Sequence, residues 1–431
     1  MSKEENRKNF SKYVSQNILG MIGFSCYVLA DSYFISIAKG ADGLTALNLV
    51  MPLYSIIFSI GEMIGVGSAI RYAISKIKKD ADADDYFWNA LIWCILSSML
   101  FVFAGIFFSA DIMRVLGADE HIVAVGNNYT KIFMCFAPMF MCNYVTNAFV
   151  RNDGAPGIAM SATLFSSLFN IVFDYILMFP MNLGMEGAAL ATALSPIIGM
   201  GICSIHFFSK KSSVRLVVCK PSVRKLVAGC QLGISAFVGE MSSAVITLAF
   251  NFVILKLAGN VGVAAYGVVA NIAIVTTAVF NGVAQGSQPL ISSCFGRGDK
   301  DGCTQLKRMG YTTAFVLAAV MYSILFIFAG QFVAVFNSEG SEMLRLYATE
   351  GVKLYFIGIF FAGINIVGGG AFSATEDAFK AAVVSVARGF VLILGAVFVM
   401  STFFGMTGVW LAYAVAEGIT TFIMLVMAMR V

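Results

Sequence analysis

The sequence predicts an all-α integral membrane protein, with twelve transmembrane helices in two six-helix bundles related by a parallel internal repeat. Composition is the first of three observations behind this prediction. The 431 residues are 59% hydrophobic and 12% charged, with a mean hydropathy of +0.85, whereas soluble domains carry about 25% charged residues. The second observation is that apolar stretches recur along the whole chain, many of them exceeding the roughly 17–25 residues that cross a bilayer. The third is a repeat at a spacing of 219–221 residues.

Hydropathy divides the chain into twelve predicted spans. They are 13–37, 44–73, 87–109, 122–149, 156–180, 186–208, 225–257, 262–295, 305–336, 344–374, 379–403 and 408–429. Of the 28 Lys and Arg, 22 fall on one side of these spans, including Arg151, Arg388 and Arg430. Because positive charge collects on the cytoplasmic side, we expect both termini to be cytoplasmic. The charged opening, Met1–Lys12, precedes an apolar stretch too long for a signal core, so no cleavable signal peptide is predicted.

The repeat relates the two halves of the chain. Seven positions of the first half recur 219 residues later, namely Gly43, Ala46, Val50, Gly67, Ser68, Asp80 and Asp82. Near the end of each half, Gly-Ala-Ala-Leu-Ala-Thr-Ala from Gly187 returns as Gly-Val-Trp-Leu-Ala-Tyr-Ala from Gly408. Six spans are an even number, so the halves share one orientation. We therefore predict an N-terminal bundle over 1–209, a cytoplasmic linker over 210–224 and a C-terminal bundle over 225–431.

Polar residues in the predicted spans 1, 5 and 6 form the first candidate site. Asn170 and Asp174 are four residues apart, so their side chains project from one face of a helix. Asp31 and Thr192 are expected at similar depth, and Tyr27 lies one turn from Asp31 on the same face. A carboxylate at membrane depth costs roughly 2.5–3.5 kcal/mol and is usually retained for function. Two carboxylates in a low-dielectric pocket resist simultaneous ionisation, so the cluster can exchange H⁺ or hold Na⁺.

Further buried acids suggest a second cation or substrate site. Glu240 and Glu417 lie on spans 7 and 12, which enter the membrane from opposite sides. Both acids are expected near the midplane, where they can share one cavity. Glu62 lies closer to the cytoplasmic side and is expected to stay apart from Asp31. Asn143 and Asn147 share one face of span 4. For each of these polar side chains, a hydrogen bond between helices is the competing interpretation.

Several classes of function are excluded by what the sequence lacks. His121 and His206 are the only histidines and stand far apart, so a His-based metal site is not expected. The nine cysteines lack paired spacing, so no disulfide framework is expected. No Gly-x-x-x-x-Gly-Lys-Ser/Thr motif appears, which disfavours ATP as the energy source. We expect no cofactor, no metal beyond Na⁺ at the first candidate site, no nucleic-acid partner and no required protein partner.

These features together resemble the multidrug and toxic compound extrusion (MATE) transporters. The resemblance covers nearly the whole chain. It rests on Asp31 followed by Gly40–Ala46, on Arg151-Asn-Asp-Gly, and on Asn170-Ile-Val-Phe-Asp174 followed by Gly184-Met-Glu-Gly-Ala-Ala-Leu-Ala-Thr192. It implies export of organic cations or amphipathic compounds in exchange for H⁺ or Na⁺. It also implies that Asp31, Asn170, Asp174 and Thr192 are the cation-coupling residues, with Tyr27 beside them.

The chain departs from the family pattern at three positions. Gln16 stands where the family usually has a proline that lets span 1 bend. The membrane part of span 10, around Ala362–Gly370, has only Asn365, whereas the branch with a span-seven glutamate, which Glu240 resembles, carries an acid in span 10. Glu62 is not part of the family pattern.

The prediction is a plasma-membrane antiporter, most simply of a bacterial inner membrane, for small organic cations or amphipathic drugs. Two alternatives stay open at this point. A flippase for a lipid-linked precursor would favour a cationic cavity, whereas few Lys or Arg are expected inside the spans. An intramembrane aspartyl enzyme would use Asp31 and Asp174 as its dyad.

Overall fold

The computed structural model describes residues 3–336 and 341–429, and these residues are almost entirely helical. Spans 1 to 6 are Lys3–Gly40, Asp42–Lys78, Asp85–Val115, the pair Glu120–Cys135 and Ala137–Asn152, Pro156–Met178 and Gly184–Phe207. Spans 7 to 12 are 223–258, 260–296, the pair Lys300–Ile327 and Ala329–Phe336, Glu342–Ala374, 378–404 and 406–429. We call residues 3–207 the N-terminal half and residues 223–429 the C-terminal half.

Twelve spans emerge once the long helices are divided at their breaks. Within the described ranges, nine helical stretches are long and apolar enough to cross a membrane, and a pair bent by 46° between Cys135 and Ala137 makes a tenth. Val223–Gly296 and Ala378–Ala428 are 74 and 51 residues long, and each is interrupted by a glycine with a positive φ. Each of these two therefore supplies two spans, and the predicted fold class is confirmed.

The internal repeat is visible in the backbone itself. Gly40 breaks spans 1 and 2 with φ 59°, and Gly259, 219 residues later, breaks spans 7 and 8 with φ 63°. Gly184 and Gly405 are related by 221 residues and have φ values of 51° and 57°. Glycine is the residue that adopts this left-handed region without steric cost. The repeat therefore preserves the points where the chain turns between neighbouring spans.

Several predicted boundaries and two charge assignments differ from the structure. Span 1 begins at Lys3 instead of residue 13, and span 11 contains a π-helical turn over Ala387–Val391. Arg151 and Arg388, predicted to lie on the cytoplasmic surface, instead line internal cavities. Hydropathy misplaced these two because a single charge near the end of an apolar stretch looks like a loop residue. Arg430 lies outside the described residues.

The two halves meet on the side that carries residue 3 and the 208–222 linker, which we call the linker side. Spans 2 and 7 approach each other through glycines, so a Cβ atom added at Gly67 would lie 2.0 Å from the carbonyl oxygen of Gly229. Spans 1 and 8 repeat this arrangement, with Gly286 against the backbone of Val14. Ion pairs reinforce the contact, because Arg71 and Lys78 both bind Glu376 of the other half.

A buried carboxylate holds the linker against the N-terminal half. Asp153, whose side chain is 2% exposed, lies 2.7 Å from His206 Nε2. It also accepts hydrogen bonds from Ser212 Oγ at 3.1 Å, from the Ser213 backbone N–H at 2.9 Å and from Tyr72 Oη at 3.1 Å. These contacts supply the hydrogen bonds that a buried carboxylate requires. The linker is thereby fixed beside the end of span 4.

Candidate functional site

Span 5 carries the centre of the first site. Asn170 and Asp174 are fully buried, and Thr192 of span 6 is 2% exposed. The Asn170 amide lies 3.2 Å from Thr192 Oγ1 and 3.0 Å from Asp174 Oδ2. With its nitrogen turned to the carboxylate, the amide donates to Asp174 and accepts from Thr192, which satisfies both neighbours. The i, i+4 spacing thus places the carboxylate of Asp174 beside the amide of Asn170, as predicted. Span 6 adds the hydroxyl of Thr192.

Asp31 completes this cluster from span 1. Its side chain is 7% exposed, and its carboxylate interacts electrostatically with that of Asp174. Tyr27, one turn away, faces both acids. One oxygen of each carboxylate, Asp31 Oδ1 and Asp174 Oδ1, is buried without a hydrogen-bond donor. Buried acceptors without donors are costly, so these two oxygens are suited to binding a cation or sharing a proton.

The cluster borders a cavity of about 300 Å³ between the two halves. Asp31, Tyr27 and Thr192 lie on the wall formed by the N-terminal half. The opposite wall is aromatic, with Tyr266, Tyr355 and Tyr413. The Tyr355 and Tyr413 rings are stacked at 4.3 Å. This volume is at the lower end of the range for small-molecule sites. The wall combines aromatic faces with polar and charged groups, among them Asp31, Glu240 and Arg388.

A second cavity of about 120 Å³ lies next to the first, toward the linker side. Glu62, Asn143 and Asn147 line it, together with Arg151. Glu240 lines both cavities and so lies between them. Asn147 donates to the Ala159 carbonyl at 3.1 Å and to Thr163 Oγ1 at 3.2 Å. Asn147 therefore serves helix packing, whereas Asn143 Oδ1 is buried without a partner.

The expectation that Glu417 shares a cavity with Glu240 is wrong. Glu417 is 2% exposed and accepts from Arg388 Nη2 at 2.7 Å and from Asn365 Nδ2 at 2.7 Å. Thr421 Oγ1 in turn donates to Asn365 Oδ1 at 3.0 Å. Glu417 faces span 10 and span 11, and it is Arg388 that reaches the larger cavity. A buried carboxylate requires a partner, and Arg388 supplies it from the irregular π-helical turn.

Sequence reasoning missed the residues that join the halves inside the molecule. Gln285 of span 8 accepts from Arg151 Nη1 at 2.7 Å and donates to Glu62 at 3.2 Å. These two hydrogen bonds therefore connect span 4 to span 8 and span 8 to span 2, and they form one buried bridge between the halves. The signal that could have located it is that Arg151, Glu62 and Gln285 are each polar residues in apolar spans.

Comparison with known proteins identifies the family. The MatE family pattern matches residues 17–176 and 236–399, one segment in each half and together most of the chain. The chain belongs to the MATE family. Members of this family are transporters, so the alternative of an intramembrane aspartyl enzyme is wrong.

Curated relatives and solved structures agree with this assignment. The chain is 26% identical over 409 residues to the multidrug export protein MepA of Staphylococcus saprophyticus, covering 93% of this chain and 89% of the relative. MepA of Staphylococcus aureus strain MRSA252 is 27% identical over 414 residues with the same coverage. A MATE crystal structure in complex with MaL6 superposes with a TM-score of 0.92 at 20% identity, over 99% of this chain and 96% of that one.

A further solved structure shares the fold of this chain. The outward-facing conformation of a multidrug resistance MATE family transporter has a TM-score of 0.89 at 20% identity, covering 99% of this chain and 96% of that one. At that identity the likeness shows the fold alone. In this MATE chain, the interhalf hydrogen bonds of Arg71, Arg151 and Gln285 lie on the linker side.

Proposed function

We propose that this MATE chain is a secondary antiporter that exports organic cations or amphipathic drugs in exchange for H⁺ or Na⁺ by alternating access. The observation that carries the proposal is the cluster of Asp31, Asn170, Asp174 and Thr192. It holds two carboxylate oxygens that lack donors, and it borders a cavity between two halves joined on one side. The multidrug export function named for the MepA relatives supports the choice of substrate class.

The cluster offers ligands for either coupling ion. Carboxylate, amide and hydroxyl oxygens are the hard donors that small hard cations prefer, and Asp31 and Asp174 together can hold Na⁺. Alternatively, one proton shared between the two acids removes the repulsion between them. In both cases a single positive charge satisfies the unpartnered oxygens, so cation binding changes the net charge of the cavity wall by one.

Antiport requires that the cation and the substrate favour different states. A ligand shifts a conformational equilibrium only by its difference in affinity between the two states. In the proposed cycle, the cation enters Asp31 and Asp174 from outside and stabilises the state that releases substrate outward. The linker side, with its basic residues, is the cytoplasmic side in this proposal, and the membrane is the bacterial plasma membrane. Substrate and bilayer are then the only partners required.

The test is efflux of ethidium from proteoliposomes under an imposed pH gradient or an imposed Na⁺ gradient, each applied separately. The variants are Asp31→Asn and Asp174→Asn, which keep side-chain shape and remove a charge. The matched control is Glu186→Gln, an exposed acid that binds Asn128 at 2.6 Å near the start of span 6. We expect wild type and the control to export ethidium under one of the two gradients, and both Asn variants to lose that export.

The outcomes separate the parts of the proposal. Unimpaired export by both Asn variants removes the coupling role from Asp31 and Asp174. If the Glu186→Gln control also loses export, the loss reflects a general effect of replacing a carboxylate on folding and gives no evidence for coupling at Asp31 and Asp174. Equal export with and without gradients shows that the chain conducts passively and is no antiporter.

A flippase for a lipid-linked precursor is the second candidate, because two guanidinium groups do lie inside the molecule. Arg388 and Arg151 line the cavities, which agrees with few cations inside the spans but gives each cavity one guanidinium. Each has a carboxylate beside it, however: Arg388 binds Glu417, and Arg151 interacts with Glu62. The cavities therefore carry no surplus positive charge for a diphosphate. Export of a lipid-linked diphosphate in the same liposomes, with no efflux of ethidium, would favour the flippase.

A further inference from the structure

The smaller cavity contains a carboxylate that neither the family pattern nor the proposed coupling site uses. Glu62 lies in the middle of span 2 and is 9% exposed. One of its oxygens, Oε1, accepts from Gln285 Nε2 at 3.2 Å, and its side chain lines the cavity. Glu62 makes this hydrogen bond but no direct ion pair among the described residues, since Arg151 contacts Gln285 instead.

The groups around Glu62 leave the cavity short of positive charge. Two carboxylates, Glu62 and Glu240, line it, against one guanidinium, that of Arg151. Asn143 adds a buried carbonyl oxygen without a donor, Oδ1. In this low-dielectric cavity two acidic side chains outnumber the one guanidinium, and the Asn143 oxygen has no donor among the described residues, so the lining favours a bound cation. A single monovalent cation with N–H or polarised C–H groups removes both deficits.

Size identifies the kind of cation that fits. At about 120 Å³ this cavity is below the range of drug-sized sites, but it can hold an ammonium headgroup. It adjoins the 300 Å³ cavity, and both are lined by Phe24, Tyr27 and Phe58 as well as by Glu240. Aromatic faces near a cation attract it. A molecule with an ammonium group and an aromatic body can therefore place one part in each cavity.

We propose that Glu62, with Asn143 and Glu240 beside it, is the binding site for the ammonium group of the exported substrate, separate from the Asp31 and Asp174 cluster. The inference rests on the proposed function and deepens it by naming where the substrate charge lies. Because Glu62 also binds Gln285 of the other half, an ammonium group at Glu62 competes with a hydrogen bond that joins the halves. Substrate arriving from the linker side thus loosens the contact that closes that side.

Two variants separate charge recognition from the interhalf bridge. Glu62→Gln keeps an oxygen that accepts from Gln285 but removes the negative charge. Gln285→Leu removes the bridge but keeps the charge of Glu62. The probe is benzyltrimethylammonium, compared with neopentylbenzene, in which a carbon atom replaces the charged nitrogen. Direct binding of each compound to the purified full-length protein in detergent is measured by isothermal titration calorimetry, which requires no transport activity.

We expect wild type to bind the ammonium compound at least tenfold more tightly than its neutral analogue. Glu62→Gln should abolish that difference, while Gln285→Leu and Asp31→Asn preserve it. A preserved tenfold difference in a folded Glu62→Gln protein overturns the proposal, and so does loss of the difference only in Asp31→Asn, which places the ammonium at the coupling cluster. Failure of wild type to discriminate the two compounds also overturns it. If binding follows the proposal but gradient-driven efflux is absent, the ammonium site stands and the antiporter proposal fails.

Discussion

The glycine contacts between the halves give a prediction that depends on closure of the linker side alone. A Cβ atom at Gly67 would lie 2.0 Å from the Gly229 carbonyl oxygen, and one at Gly233 would lie 2.0 Å from the Met63 carbonyl oxygen. A separation below 3.0 Å is essentially never found for a real Cβ atom. Gly67→Ala or Gly233→Ala must therefore push spans 2 and 7 apart by about 1 Å or more, since backbone atoms cannot rotate away.

The cost falls on one conformation. Overpacking a tight contact costs about 1–3 kcal/mol, and this contact exists only while the halves are closed on the linker side. The equilibrium between closed and open linker side should consequently move toward the open state by about 5-fold to 150-fold, at tenfold per 1.4 kcal/mol. Spin labels placed by click chemistry at the exposed residues Lys8 and Lys300 report this directly, because the two residues belong to different halves. We expect double electron–electron resonance to show that the ratio of the longer-distance to the shorter-distance population rises by about 5-fold to 150-fold in either variant.

A matched control removes the other effect of the substitution. Alanine raises helix propensity over glycine by roughly 0.5–1 kcal/mol wherever the residue lies in a helix. Gly267→Ala makes the same exchange in span 8, where an added Cβ meets nothing within 4 Å. Its distance distribution should match wild type. An unchanged distribution in folded Gly67→Ala and Gly233→Ala would show that the close approach does not control closure, and the reasoning would fail.

Three further predictions follow from the polar contacts on the linker side. Asp153→Ala leaves buried donors unpaired, at a cost of about 1–3 kcal/mol each. Trypsin should therefore cleave the linker after Lys210 and Lys211 faster than in wild type. An unchanged cleavage rate would show that Asp153 does not hold the linker. Arg71→Gln removes the ion pair with Glu376, whose side chains are 24% and 23% exposed. The distance measurement should show a shift toward the open state worth at most about 1 kcal/mol, well below that of the glycine variants. Glu376→Gln loses the pairs with both Arg71 and Lys78, so its shift should be at least as large as that of Arg71→Gln, and a smaller shift would contradict the role of these pairs in closure.

The fold could be predicted because its determinants are local in sequence. Length and hydropathy locate spans one at a time, and the repeated glycines locate the turns between them. The turn at Gly259 repeats the turn at Gly40, so the 219-residue offset found in the sequence also relates the backbone conformations of the two halves. The ends of the helices could not be predicted in the same way, because hydropathy does not detect a helix that extends into water. Lys3–Phe10, for example, continues the first helix beyond its apolar part.

The candidate site was predictable only where its residues share a helix face. Asn170 and Asp174 are adjacent through the 3.6-residue period, so their contact followed from spacing. The partner of Glu417 did not follow, because depth along the membrane normal says nothing about how a span is rotated about its own axis. Glu240 and Glu417 were expected at one depth, yet Glu417 faces Arg388 and Asn365. Pairing across spans is a property of packing, which sequence spacing alone does not encode.

The two repeats share a backbone but not a chemistry, and this difference constrains the mechanism. The 219-residue offset places Phe250 at the position equivalent to Asp31, and the 221-residue offset places Tyr413 at the position equivalent to Thr192. Phe250 stacks on Tyr266 at 5.0 Å, and Tyr413 on Tyr355. The C-terminal half therefore has aromatic faces where the N-terminal half has oxygen ligands. In the proposed cycle, a cation bound in the N-terminal half alters the charge of that half alone. Contacts between the halves, such as Gly67 with Gly229 and Gln285 with Glu62, would then transmit its effect to the C-terminal half.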